Sequence, residues 1–241
     1  MAEHRRIAIV PARNEAGAIG GVLDELRAFD PTLHVVVVDD ASTDRTAAIA
    51  AERGAAVVRL PFNLGIGGAV QTGFKYALEH GYDVAVRLDG DGQHIPAELP
   101  KLFAPVEAGE ADIVVGSRFA SGREGEYRPP IARRAGIRFF AKLVSMLVGQ
   151  TVTDTTSGFQ ALNRKGIALF AADYPHDYPE VEATVMVHKH RLRLREVAVH
   201  MREREHGRSS INALRSIYYV VKVSLALFVG LFRRSAVTLG E

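Results

Sequence analysis

Short apolar, β-branched runs recur through the first half of the chain, at 7–10, 35–38, 56–60, 84–88 and 113–115, each bounded by polar or glycine-containing turns. Runs of this length and composition predict buried strands. Between them, 18–29, 43–53 and 67–80 carry apolar residues at helical spacing. Strand and helix in alternation predict an α/β fold, with a mainly parallel central sheet and helices on both faces. Ligands of such sheets collect beyond the carboxyl ends of the strands, so chemistry is sought in the residues that follow each apolar run.

Three polar loops stand there. Pro11-Ala12-Arg13-Asn14-Glu15 follows the first run, Asp39-Asp40-Ala41-Ser42-Thr43-Asp44 the second, and Asp89-Gly90-Asp91-Gly92-Gln93-His94 the fourth. The spacing of Asp89 and Asp91 brings two carboxylates together, and such a pair repels itself unless a cation or a proton intervenes. Hard oxygen ligands suit Mg²⁺ or Mn²⁺, ions that bridge carboxylates to substrate phosphates; a plain polar turn is the competing reading. Asp39 and Asp40 fit binding of ribose or a base edge, or a helix-entry turn. Ser42 or Thr43 is expected to cap the following helix, with Asp44 near its positive end. The cluster Asn63-Leu64-Gly65-Ile66-Gly67-Gly68-Ala69 lacks the order of a dinucleotide fingerprint, and is read as a tight turn that lets a helix pack closely.

Composition narrows the class. The 241 residues, 47% of them hydrophobic, suffice for one domain with a substantial core. There is no cysteine, which excludes disulfides and thiolate metal sites and fits a reducing compartment. The formal charge of +2 hides an asymmetry, with basic residues clustered around 128–142 and 187–215, so general nucleic-acid binding is not inferred. His176, His188, His190, His200 and His206 show no zinc-ligand spacing. The first six residues lack the apolar core of a signal peptide, and the apolar stretch 217–232, interrupted by Lys222 and Ser224, falls short of the roughly 20 residues a bilayer span requires.

Taken together, 9–15, 38–44, 63–67, 88–94, Gly116-Ser117-Arg118, Ser157-Gly158-Phe159 and Arg204-Glu205-His206-Gly207-Arg208-Ser209-Ser210 resemble, in order and over nearly the whole chain, the family 2 glycosyltransferases of the GT-A fold. The dolichyl-phosphate mannose and polyprenyl-phosphate glucose synthase branch is the most similar. The resemblance implies an inverting transfer of a sugar from a UDP-, GDP- or dTDP-linked donor to a polyprenyl phosphate, by a peripheral enzyme at the cytoplasmic face of the cell membrane. It implies nucleotide contacts from Pro11, Asn14, Glu15, Asp39, Asp40 and Gly90, and a divalent ion on Asp89 and Asp91, helped by Gln93. Catalytic roles fall on these two aspartates with Arg118 and Arg204. The acceptor phosphate falls to Arg118, Arg133 or Arg134, and Ser157, since guanidinium groups grip phosphate through paired bonds. Asp154, Ser157 and Gly158 would form a turn lining the acceptor side.

A phosphate monoester is already anionic and attacks without a strong base, whereas a sugar hydroxyl needs one. For the alternative of a saccharide acceptor, Glu180 or Glu182 is the candidate base, against a simple role as helix N-terminal charge. A non-catalytic sugar-nucleotide scaffold is the other alternative. Two amphipathic stretches bear on partners. The helix expected over 131–149 either lies in a membrane interface or packs on the core with a basic outer face. The segment 212–232 must meet a membrane, a protein partner, a second copy or the enzyme's own core, and 1–211 is expected to form the catalytic domain with 212–241 a helical appendage.

Overall fold

In the first strand, β1 (Arg6–Ala12), Ile7 and Ile9 face one way and Ala8 and Val10 the other, and this alternation divides the core in two. The computed structural model describes residues 4–120, 131–175 and 179–202. The remaining elements are α1 (Ile19–Phe29), β2 (His34–Asp39), α2 (Thr46–Glu52), β3 (Ala56–Arg59), α3 (Gly65–Glu79), β4 (Val84–Arg87), α4 (Leu99–Glu107), β5 (Ile113–Ser117), α5 (Ile131–Val148), β6 (Gln160–Asn163), α6 (Arg164–Ala172), α7 (Pro179–Lys189) and β7 (Leu194–Ala198). The sheet order is β3-β2-β1-β4-β6-β5-β7. All pairings are parallel except those of β6, which runs antiparallel to both β4 and β5. Central strands buried on both faces read as continuous apolar runs, which is why the sequence displays them.

One half of the core joins Ala8, Val10, Val37, Val86 and Val114 to residues of α1 and α4. The other joins Ile7, Ile9, Val36, Ala85 and Val115 to α3 and α6. The expected helix at 67–80 begins two residues earlier, at Gly65, whose φ of 78° suits glycine. Farther along α3, Gly73 lies directly on β1, where an added Cβ would overlap Ile9 Cγ2. Gly73→Ala is therefore expected to lower stability by about 1–3 kcal/mol through overpacking; a urea unfolding midpoint equal to wild type would contradict that contact.

The helix over 131–148 resolves one open choice where its side chains are described. Phe140, Val144 and Val148 are buried against Val181 and Val185 of α7, with Leu143 and Leu147 packed alongside. That face belongs to the protein's own core rather than to a lipid interface, although Phe139 and Met146 remain exposed. Among the described residues no helix is long and apolar enough to cross a membrane. Residues 212–232 and Arg204 lie outside the described residues.

Candidate active site

The loops after β1, β2 and β4 meet at the carboxyl edge of the sheet, tied by side chains acting across the chain. Asn14, in the left-handed region at φ 55°, donates its backbone N–H to Ser42 Oγ (2.9 Å) and accepts from Thr43 N at 2.8 Å. Glu15 N donates to Thr46 Oγ1 at 2.8 Å. Ser42 and Thr43 are thus engaged with Asn14 and do not cap α2, which begins at Thr46; Asp44 accepts from Thr46 N (2.9 Å) in their stead.

The second loop separates its two aspartates. Asp40 accepts Leu64 N at 2.6 Å and Gly65 N at 3.0 Å, so its carboxylate holds the glycine turn at the start of α3. Those helix-entry amides are already occupied, in keeping with a structural reading of the glycine cluster. Asp39 is fully buried, accepts Ser42 N at 3.2 Å, and lies 3.4 Å from Arg59 Nε. It stands behind the cavity wall instead of lining it.

The cavity, of about 380 Å³, is lined by Pro11, Arg13, Glu15, Asp40, Asn63, Gly65, Ile66, Arg87, Asp89, Gly90, Asp91 and Glu180, with Ala12 and Ala69. Five carboxylates face two guanidinium groups, Arg13 and Arg87, so the space attracts cations. Gly90 lets the third loop approach the first: a Cβ there would lie 3.3 Å from both Ala12 Cβ and Pro11 O. Asp91 accepts Gln93 N at 3.1 Å, and Asp89 N donates to His94 Nδ1 at 3.0 Å. His94 is buried and stacked on Phe159, 4.7 Å between ring centroids. Burial pushes its imidazole below the ordinary value, and Nδ1 is acting as an acceptor.

Gln93 turns elsewhere. Its Nε2 donates to Arg202 O at 3.3 Å, while Arg202 N donates back to Gln93 O at 2.9 Å and His94 bridges Met201. The chain after β7 is thereby joined to the acidic loop, and Gln93 does not line the cavity.

Arg87, at the end of β4, was not legible as a site residue, since it sits within the apolar run at 84–88. It is 1% exposed. Its Nη2 lies 2.8 Å from Glu180 Oε1 and 3.4 Å from Asp89 Oδ1, and Nη1 donates to Tyr174 Oη at 3.1 Å. Burial opposes its charge, but the neighbouring Tyr174, Glu180 and Asp89 more than offset this and hold it protonated. Glycine is required opposite: a Cβ on Gly158 would come 2.8 Å from Arg87 Nη2 and 3.2 Å from Asp89 Oδ1. Glu180 occupies the first turn of α7 and reaches the cavity, whereas Glu182, in the same turn, does not line it.

The expected acceptor residues have a different disposition. Arg118 is clamped by Asp154, Nε to Oδ2 at 2.8 Å and Nη2 to Oδ1 at 2.9 Å, and Nη2 also donates to Thr156 Oγ1 at 2.7 Å. Ser157 Oγ points inward to Gly116 O at 2.6 Å. Glu196 of β7 supports the turn by accepting Thr153 N, Thr153 Oγ1 and Asp154 N. Asp154 does lie in a turn after the apolar helix, as expected, but its carboxylate and the fork of Arg118 bind each other. Arg133 and Arg134 lie on the first turn of α5.

The donor set fits a hard divalent ion. Among the described residues no group of three or more Asp, Glu, His or Cys forms a protein-only cage. Two carboxylates on one loop, beside an acidic cavity, instead match an ion that keeps positions for phosphate oxygens and water. A mainly parallel sheet with β6 reversed and acidic loops gathered at its carboxyl edge is the arrangement of a GT-A glycosyltransferase fold. The chain belongs to glycosyl transferase family 2, whose signature matches residues 7–169. It is 33% identical to the polyprenol monophosphomannose synthase of Mycolicibacterium smegmatis over 218 residues, covering 86% of this chain and 81% of that protein. It is 34% identical to the undecaprenyl-phosphate mannosyltransferase of Micrococcus luteus, covering 86% and 88%. Among solved structures it resembles glucosyl-3-phosphoglycerate synthase from Mycobacterium tuberculosis in complex with Mn²⁺, UDP-glucose and phosphoglyceric acid, with a TM-score of 0.71, 22% identity, and coverage of 98% and 82%. That likeness is one of fold.

Proposed function

We propose that this glycosyltransferase moves a sugar, with inversion, from a nucleoside diphosphate donor to the phosphate of a polyprenyl lipid. The observation that carries the reading is the pair Asp89 and Asp91 on one loop, lining the same small acidic cavity as Glu15 and Asp40. Pro11, Glu15 and Asp40 form the nucleoside end, and Asp89 and Asp91 are the residues that would hold Mg²⁺ or Mn²⁺. When bound, the ion supplies Lewis acidity to the departing diphosphate. The Mn²⁺ and UDP-glucose named for the structural neighbour support the donor class, and the two lipid-phosphate mannosyltransferases among the relatives support the acceptor.

An anionic acceptor needs positioning rather than deprotonation. Arg133, Arg134 and Arg204 are the cations assigned to it. Arg118, through Asp154, shapes the turn on the acceptor side. Residues 212–241 are assigned to attachment at the inner face of the membrane, to a membrane protein partner or to a second copy.

Purified protein given Mn²⁺ and radiolabelled UDP-glucose, GDP-mannose or a dTDP-sugar is expected to label polyprenyl phosphate and leave oligosaccharides unlabelled. Labelling of saccharide alone would move the reading to a hydroxyl acceptor with Glu180 as base. Nucleotide-sugar binding without transfer to either acceptor would leave a scaffold.

A further inference from the structure

Arg87 is the charged side chain most at odds with its surroundings, a guanidinium within a central strand and 1% exposed. Buried ion pairs are poor sources of stability, because desolvation consumes most of the attraction, and apolar replacements are often neutral or better. What such a pair does supply is a fixed position for its partners. Here the partner that reaches the cavity is Glu180, held through Oε1 at 2.8 Å, with Tyr174 bracing the other arm of the guanidinium at 3.1 Å. The same Nη2 lies 3.4 Å from Asp89. Glu180 and Asp89 are therefore neighbouring cavity carboxylates, both reached by one nitrogen of Arg87.

That adjacency has a chemical consequence, which rests on the donor reading above. If Asp89 serves the diphosphate, the sugar begins one oxygen beyond the second phosphorus, and the next group along the wall meets the sugar ring. A carboxylate only accepts hydrogen bonds, and sugar hydroxyls donate them. The geometry points to Glu180 as the residue that recognises hydroxyl groups of the transferred hexose, with Arg87 the positioning residue that aims it. It contributes to the choice of sugar, not to proton removal from the acceptor.

Calorimetry with Mn²⁺ tests this on the full chain, using UDP-glucose against UDP, GDP-mannose against GDP, and dTDP-glucose against dTDP. Glu180→Gln keeps an oxygen for Arg87 and presents an NH₂ to the sugar. It is expected to weaken the nucleotide sugar that wild type binds by about tenfold or more, the loss expected for a hydrogen bond to a charged group, and to leave the matching diphosphate unchanged. Glu180→Asp, which retracts the charge by one methylene, is expected to give the same selective loss and serves if the glutamine variant does not fold. Equal weakening of sugar nucleotide and diphosphate, or no weakening of either, overturns the inference. So does intact binding with abolished turnover, the signature of a base. Wild-type protein that binds none of the six nucleotides overturns the donor reading itself.

Discussion

Asp91→Asn is expected to reduce sugar transfer about a hundredfold or more while leaving the melting temperature within a degree or two of wild type. The side chain is only half-buried, and it accepts Gln93 N at 3.1 Å, which an asparagine oxygen also does. What the substitution removes is charge at the place where a divalent ion would meet the diphosphate. Losing one such preorganised electrostatic element costs about 10²–10³ in rate, whereas exchanges at exposed positions shift stability by about 0.5 kcal/mol or less. Paired kinetic and thermal-shift measurements check both halves. Near-normal turnover would remove Asp91 from the chemistry, and a large drop in melting temperature would make its role structural.

Asp154→Ala is expected to have the opposite profile, a large loss of stability. Asp154 has a fully buried carboxylate, and the side chain of its partner Arg118 is 12% exposed. Removing one member of a buried pair costs about 3–5 kcal/mol. The pH dependence follows from the same pair. Burial pushes the Asp154 carboxyl up, but the hydrogen bonds and charge of Arg118 outweigh it and hold the group below the usual range. Asp112 is held low in the same sense, chiefly by its hydrogen bond from Arg193. A carboxyl depressed in the folded state contributes stability that is present above its unfolded value, near pH 4, and disappears as pH falls through the folded value. Wild type should therefore lose stability as pH drops below about 4, and Asp154→Ala should lose it less steeply. Parallel urea-midpoint profiles for the two proteins would contradict the assignment.

The elements easiest to read in the sequence were those buried on both sides. β1, β2 and β4 appear as unbroken apolar runs because each is covered above and below, and the loops that leave them could be placed without coordinates. β6, with the sequence QALN, and the edge strand β7, LREVA, carry too little periodicity to stand out. Local rules also failed where distant residues competed. Ser42 and Thr43 have capping chemistry, but Asn14, far away in the chain, takes both. Arg118 and Ser157 belong to recognisable motifs, yet nothing local says that Asp154 would occupy the guanidinium or that the hydroxyl would turn inward. The Arg87–Glu180 pair joins residues 93 positions apart, and its arginine is concealed in a strand pattern.

The paired hydrogen bonds between Gln93 and Arg202, one from the Gln93 side chain and one from the Arg202 backbone, bear on how much of the chain the site needs. The family signature ends at residue 169, but a fragment cut there would lack the carboxylate on α7 and the extended piece, 199–202, that pairs with the Asp89–His94 turn. The folded unit is longer than the signature by which the family is recognised, and its far end is tied to the loop that carries the proposed metal ligands.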